Sequence, residues 1–357
     1  MERNATRLDG GESMPAKQRA SLSQRVSREI SRLAKRVGAL PARAATVVKQ
    51  MRNGITTRAN PRVVSLTPDE LLVRTIYGFQ MVVPGWNVDV GIGIVRSGII
   101  EPWTNAVVLD LLRRGDHFIN VGANFGYYAA LAAQRVERTG KVYAVEANPV
   151  VFPFLVKTAY WSGFPETIRM FNCAAAGPEM HGKQVEFLFD PQFIGGGSMS
   201  AGISAPRPLE QCFWSKENIH EALGAHREFI AKGVFSSIQA ECQTLDSFIP
   251  QDIPLKAMLI DAEGSECHVI AGAKETIRRH PKMAIVMEWA PMNANRGPEQ
   301  MAAVEAMWDF LFGEMGYQAC RICPEGYRGV GTMPRLEPVS REGLKQIPHS
   351  DLLLRKS

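Results

Sequence analysis

The chain of 357 residues has no run of about 18 unbroken apolar residues, so no continuous segment reads as a membrane-spanning helix. Six cysteines are too few for a disulfide scaffold at this length, and a reducing, cytoplasmic setting is the expectation. The first residues lack the apolar block of a secretory leader and carry Glu2, Asp9 and Glu12 instead. A strong excess of one charge is also missing, the net charge being +5. Even that excess is local. Residues 1–62 hold 14 of the 41 lysines and arginines but 4 of the 36 acidic residues, so the remainder is mildly acidic. The basic charge therefore does not argue that the body binds nucleic acid. Hydrophobic residues at 45% and charged residues at 22% sit near globular averages, which excludes a disordered or fibrous chain.

The composition of residues 1–20 predicts a disordered start. Over residues 21–40, Leu22, Val26, Ile30, Leu33, Val37 and Leu40 recur at steps of three and four among arginines and lysines. That pattern predicts an amphipathic basic helix stopped by Pro41. Three readings compete for it: packing on the body or on its twin in an oligomer, peripheral contact with an anionic membrane at the inner surface, and a solvated extension. Residues 63–115 read as a lead-in. Thr75–Val90 reads as strands or turns around Pro84-Gly85, and Trp103–Arg114 as a helix. From residue 116 to 357 strands alternate with helices: strand His117–Val121, helix Tyr127–Val136, strand Lys141–Val145, helix Pro149–Trp161, strand Ile168–Ala174. The order resumes with strand Ala257–Ile260, helix Glu266–Arg279, strand Met283–Met287, helix Glu299–Phe312 and short strands at Tyr317–Ile322 and Leu352–Leu354. Such alternation predicts an α/β domain, doubly wound around a mostly parallel sheet. Residues 190–237 interrupt it. The run Gly195-Gly196-Gly197-Ser198 followed by Trp214, His220 and His226 reads as an inserted lid on a glycine hinge, with a disordered surface loop as the alternative.

Two turns carry the chemistry. In Asn120-Val121-Gly122-Ala123-Asn124-Phe125-Gly126-Tyr127, two glycines let the chain turn from strand to helix and let a ligand touch backbone. Glu146, twenty residues past Gly126 at the end of the next strand, is placed to accept hydrogen bonds from ribose hydroxyls. A dinucleotide fingerprint would need glycines at 124 and 127, where Asn124 and Tyr127 stand. The spacing suits S-adenosylmethionine better, and a nucleotide-linked oxidoreductase is the weaker alternative. The second turn is Asp261-Ala262-Glu263-Gly264-Ser265-Glu266, just past a buried strand. Ser265 and Glu266 are explained by the start of the next helix, which leaves Asp261 and Glu263 as the functional candidates.

The strings NVGANFGYYAALAA, KVYAVEANP, TLDSF, LIDAEGSE and MEW, in that order, resemble the FkbM-type methyltransferases of the class I S-adenosylmethionine-dependent superfamily. The resemblance covers roughly residues 85–355 apart from the insertion. It implies a seven-stranded, Rossmann-like sheet and methyl transfer, usually to oxygen, in polyketide, glycolipid or polysaccharide modification. It further implies that Gly122, Asn124 and Gly126 hold the methionine portion of the cofactor, with Asn120, Ala123 and Tyr127 also in the cofactor site. Glu146 would bind the ribose, Ala147 and Asn148 would flank the adenine or the ribose, and Cys173 and Ala174 would lie near the adenine. Asn120 stands where the family carries an aspartate, and Leu259 where it commonly carries a lysine.

Methyl transfer is an in-line displacement on a sulfonium carbon, and a hydroxyl acceptor is a weak nucleophile that a nearby base assists. Asp261, Glu263 and Glu288 are the candidate bases; His220 and His226 could serve only if the insertion closes as a lid. Asp261 with Glu263 is compatible with Mg2+ without requiring it. Cys320-x-x-Cys323 lacks a second ligand pair, so no zinc site is expected, and His268 is given no role. The expected function is O-methylation of a small-molecule or glycan acceptor. A non-catalytic scaffold that uses the basic arm to bind a membrane or partner is the other alternative.

Overall fold

The computed structural model describes residues 62–190, 193–198, 236–294 and 297–356. Arg62–Ser357 forms one unit by its internal contacts. The segment up to residue 61, with the helix expected at 21–40, lies outside the described residues, as does the part of the insertion holding Trp214, His220 and His226.

The lead-in is an antiparallel meander of β1 (Val63–Thr67), β2 (Glu70–Arg74) and β3 (Gln80–Pro84), followed by α1 (Val90–Ser97) and α2 (Pro102–Leu111). The expected Pro84-Gly85 turn is closed by the Asn87 N–H donating to the Pro84 carbonyl (3.4 Å), while Gly85 donates across to the Asp69 carbonyl beside β2. Strand and helix then alternate as β4 (His117–Val121), α3 (Tyr127–Val136), β5 (Lys141–Val145), α4 (Phe152–Trp161) and β6 (Ile168–Phe171). β4, α3 and β5 have the ends that the sequence pattern predicts. Helix α4 begins three residues later than Pro149. The Asn148 side chain accepts from the Val150 N–H (2.9 Å) and its carbonyl from the Phe152 N–H, forming a separate turn first. Pro153 is the proline in its first turn.

The third strand is shorter than expected. β6 ends at Phe171, and β7 (Ala174–Ala175) belongs to a second, smaller sheet with β8 (Gln184–Asp190), β9 (Phe193–Ser198) and β10 (Ser236–Gln243), in the order β7-β10-β8-β9. The cause is a partner that lies far along the chain: β7 pairs in parallel with Cys242 and Gln243. The glycine run expected as a hinge lies in β9, paired antiparallel with β8.

Next come α5 (Leu245–Phe248), β11 (Leu255–Ile260), α6 (Glu266–Ala271), α7 (Lys274–Arg279), β12 (Ala284–Trp289), α8 (Pro291–Ala294), α9 (Pro298–Trp308), β13 (Gln318–Cys323), β14 (Arg335–Val339) and β15 (Ser350–Arg355). The single helix expected over 266–279 is two. A Cβ on Gly272 would lie 2.0 Å from the Ala176 carbonyl oxygen, so only glycine passes there. Asp246, from the TLDSF string, accepts from the Glu275 (3.1 Å) and Thr276 (2.7 Å) N–H groups and caps the second helix from a distance.

The main sheet has the order β14-β13-β15-β12-β11-β4-β5-β6. β6, β5, β4, β11, β12 and β13 run one way; β15 and β14 are antiparallel to their neighbours. Seven strands form the expected doubly wound core, and β14 adds an eighth at the edge. Alternation along β4 sends Phe118 to a core beneath α3, α4 and the meander, and Ile119 and Val121 to the opposite core beneath α6, α7 and α9. Successive strands run outward from β4 to β6, and the chain then returns to β11 on β4's other side. That reversal opens a crevice at the carboxyl ends of β4 and β11. Among the described residues no helix is long and apolar enough to cross a membrane.

Candidate active site

The two turns singled out in the sequence meet in this crevice. Gly122 has φ +74°, and a Cβ there would sit 1.7 Å from the Asp261 carbonyl oxygen, so the glycine turn and the Asp261 turn touch through backbone. Gly126 (φ +87°) opens α3, where a Cβ would press on the Leu155 side chain at 2.8 Å. Between them Asn124 takes the left-handed conformation (φ +49°), which asparagine tolerates better than most residues, and its side chain accepts from the Phe125 N–H (2.8 Å).

Glu146 holds this turn in place. One carboxylate oxygen accepts from the Asn124 N–H (2.7 Å) and the other from the Asn148 N–H (2.8 Å). Burial pushes its carboxyl above the usual range, and the N–H groups of Asn148 and Asn124 pull it partly back. Asn172 donates to the Glu146 carbonyl (2.8 Å), tying the β6 end to the β5 end. Gly122, Asn124, Gly126, Glu146, Ala147 and Asn148 are thus brought together. Tyr127 is not: its ring packs edge-on against Phe79 and its hydroxyl accepts from Asn105 (3.0 Å), because the first helical position faces α2 and the core. Ala123 is buried in that same core. Cys173 is buried, and Ala174 is committed to the small sheet beside Cys242.

Asn120 is fully buried, on the sheet face that also bears Leu259, and both polar atoms of its side chain lack a partner. A buried amide without partners is costly, and this one lies beneath the glycine turn.

Beside the glycine turn is a small crevice lined by Asp261, Glu288, Glu101, Asp351, Tyr128 and Thr104 over a floor of Leu259, Ile260 and Val286. Four carboxyl groups line it, and no lysine or arginine does so among the described residues. Tyr128 donates to Glu101 (2.6 Å), Thr104 donates to Asp351, and His349 meets Glu288 Oε1 through Nε2 (2.6 Å). Asp261 and Glu288 hydrogen-bond each other. Burial, then Glu288 and Glu101, raises the Asp261 carboxyl well above its usual range; burial, then Glu263, does the same for Glu288. Burial and Asp351 push Glu101 up to about 7. Adjoining acids in a dry crevice cannot all ionise, so they hold protons.

Asp261, Glu263 and Glu288 bring oxygens within 4.8 Å of one another, a spacing that a cation could bridge. Glu263 sits at φ +50° ahead of Gly264, and Glu266 accepts from the Gly264 (2.9 Å) and Ala262 (3.3 Å) N–H groups. Glu266 therefore braces this turn, whereas the Ser265 hydroxyl, expected as the cap, makes no cap bond.

Sequence reasoning did not find Glu101, Thr104, Tyr128, His349 and Asp351. Tyr128 had a signal, since it follows Gly126 inside the first string. Glu101 had a weaker one, as the residue ahead of Pro102 at a helix start. Asp351 and His349 come from the last strand and its approach, and only the sheet order brings them beside Glu288.

A family model described as the methyltransferase FkbM domain matches residues 120–319. No curated protein matches the chain significantly. Solved structures give weak likenesses. An O-methyltransferase from Thermotoga maritima is 13% identical, with 83% of this chain and 85% of that one covered and a TM-score of 0.35. An O-methyltransferase from Bacillus cereus is 8% identical, with 92% and 97% covered and a TM-score of 0.35. A precorrin-6y C5,15-methyltransferase from Geobacter metallireducens is 14% identical, with 71% and 88% covered and a TM-score of 0.34.

Proposed function

The chain belongs to the FkbM methyltransferase family, and from that premise we propose that it transfers a methyl group from S-adenosylmethionine to a hydroxyl of a small-molecule or glycan acceptor. The observation that carries this reading is the backbone contact of Gly122 with Asp261, which sets a ligand-cradling turn against a cavity of carboxyl groups.

The residues suit the donor. Asn120 offers a buried, unpartnered amide beneath the turn, and the acid-lined cavity complements a sulfonium charge. Bound there, S-adenosylmethionine supplies a methyl group activated on sulfur. Gly122, Asn124 and Gly126 keep the turn open to its methionine end. Glu146 fixes the turn through Asn124 and has lone pairs left for ribose hydroxyls. Asp261 is the group placed to take the acceptor's proton, and the apolar floor of Leu259, Ile260 and Val286 keeps water out. Acid oxygens on several sides suit an acceptor rich in hydroxyls, each able to donate a hydrogen bond.

The test is transfer of label. Protein incubated with S-adenosylmethionine bearing a tritiated methyl and with methyl glycosides or a glycolipid extract is expected to leave tritium in alkali-stable ethers. Label found only on amines would overturn the oxygen reading and leave the methyltransferase standing.

A further inference from the structure

We propose that the carboxyl cluster is a charge-compensated base: Asp261 and Glu288 share a proton in the free protein and release it to solvent through His349 when a sulfonium-bearing ligand occupies the glycine turn. The inference rests on the S-adenosylmethionine reading of this site.

The first ground is a continuous path. Asp261 lines the cavity and hydrogen-bonds Glu288. Glu288 Oε1 also meets His349 Nε2 at 2.6 Å, and the His349 side chain is 54% exposed against 19% for Glu288. The path thus runs from a buried acid to water in two links. An imidazole can take a proton on one nitrogen and lose one from the other, which makes His349 the exit.

The second ground is the balance of charge. Asp261 is faced by Glu288 from β12, Glu101 from the head of α2 and Asp351 from β15. Glu288 is faced also by Glu263 and Glu266 from the connection into α6. Tyr128, from α3, is neutral and donates to Glu101. Among the described residues, the one basic group acting on the cavity's four acids, Asp261, Glu288, Glu101 and Asp351, is His349. With His349 alone to balance them, these four acids keep a proton until another positive charge arrives. A sulfonium beside Gly122 is such a charge, and the Gly122–Asp261 contact puts it next to the cluster.

The third ground is that the cycle closes. With the proton gone, Asp261 is a carboxylate able to act as base. In the transfer the acceptor O–C bond forms, the C–S bond breaks with its electron pair left on sulfur, and the acceptor's proton passes to Asp261. The sulfonium charge and the carboxylate charge vanish in the same step, and the cluster again holds its proton. One proton leaves the protein per turnover, at donor binding and not at methyl transfer. His349 is a positioning residue in this scheme, acting through Glu288.

The experiment needs no acceptor. Full-length protein is titrated by calorimetry with S-adenosylmethionine and with S-adenosylhomocysteine, its uncharged thioether counterpart, in phosphate and in Tris at several pH values. Buffer-dependent heats are expected to show about one proton released by the sulfonium ligand and none by the thioether. Affinity for S-adenosylmethionine should then rise about tenfold per pH unit on the acid side, because each pH unit makes that release tenfold easier. In Asp261→Asn the release should disappear while S-adenosylhomocysteine still binds. In His349→Gln its amplitude should remain and its rate, followed by a pH dye in stopped flow, should drop at least about tenfold, with added imidazole restoring it. Equal proton counts for the two ligands, or sulfonium binding that needs Mg2+ and releases no proton, would overturn the inference and leave the cofactor reading intact. An unchanged release rate in His349→Gln would remove His349 from the path. Failure of both ligands to bind would overturn the cofactor reading itself.

Discussion

Gly122→Ala is expected to abolish detectable binding of S-adenosylhomocysteine, a loss of more than about 100-fold, or about 2.7 kcal/mol, and to lower stability by about 2–4 kcal/mol. Two effects act together. The residue has φ +74°, which an L side chain rarely adopts, and the new Cβ would lie 1.7 Å from the Asp261 carbonyl oxygen and 2.8 Å from its carbon. Both obstacles are backbone, so no side chain can swing aside. The glycine turn must separate from the Asp261 turn, and the separation removes the arrangement on which the site depends. Gly163→Ala is the control for strain alone: φ is +84°, and nothing lies within 4 Å of its Cβ position. It should cost about 1 kcal/mol and leave binding unchanged. Thermal unfolding and calorimetric titration of the two variants separate these contributions.

Glu146→Ala should cost about 2–4 kcal/mol of stability and bring the ligand affinity below detection. Its carboxylate serves two buried N–H groups, those of Asn124 at 2.7 Å and Asn148 at 2.8 Å. Alanine leaves both without a partner, and an unsatisfied buried donor costs more than the bond it loses is worth. Glu146→Gln should fall between wild type and alanine in stability, since an amide offers one acceptor oxygen where the carboxylate offers two. Affinity lost while the melting temperature stays unchanged would assign Glu146 to the ligand alone, and would contradict its role in holding the turn.

The parts of the fold legible in the sequence are those with local causes. β4, α3 and β5 appear with the expected ends because hydrophobic spacing changes from two to 3.6 at a pair of glycines. Asp261, Glu263 and Glu288 were legible as acids following apolar strands, and the structure gathers them. What was not legible has distant causes. The break at Gly272 is imposed by the Ala176 carbonyl, nearly a hundred residues earlier. β7 leaves the main sheet because its partner, β10, lies beyond the insertion. Glu101, His349 and Asp351 enter the site from the two ends of the domain, and no spacing pattern links them to Glu288. Tyr127 and Tyr128 show the limit at a single residue. Both follow the same glycine, and only the direction of the helix decides that the first enters the core while the second reaches the cavity.

The most direct measurement is a calorimetric titration of the wild-type protein with S-adenosylhomocysteine, which asks whether the crevice at β4 and β11 is a cofactor site. Saturable one-to-one binding, lost in Gly122→Ala and retained in Gly163→Ala, is the result expected. Absence of binding by folded wild-type protein, or binding that Gly122→Ala leaves intact, would contradict it.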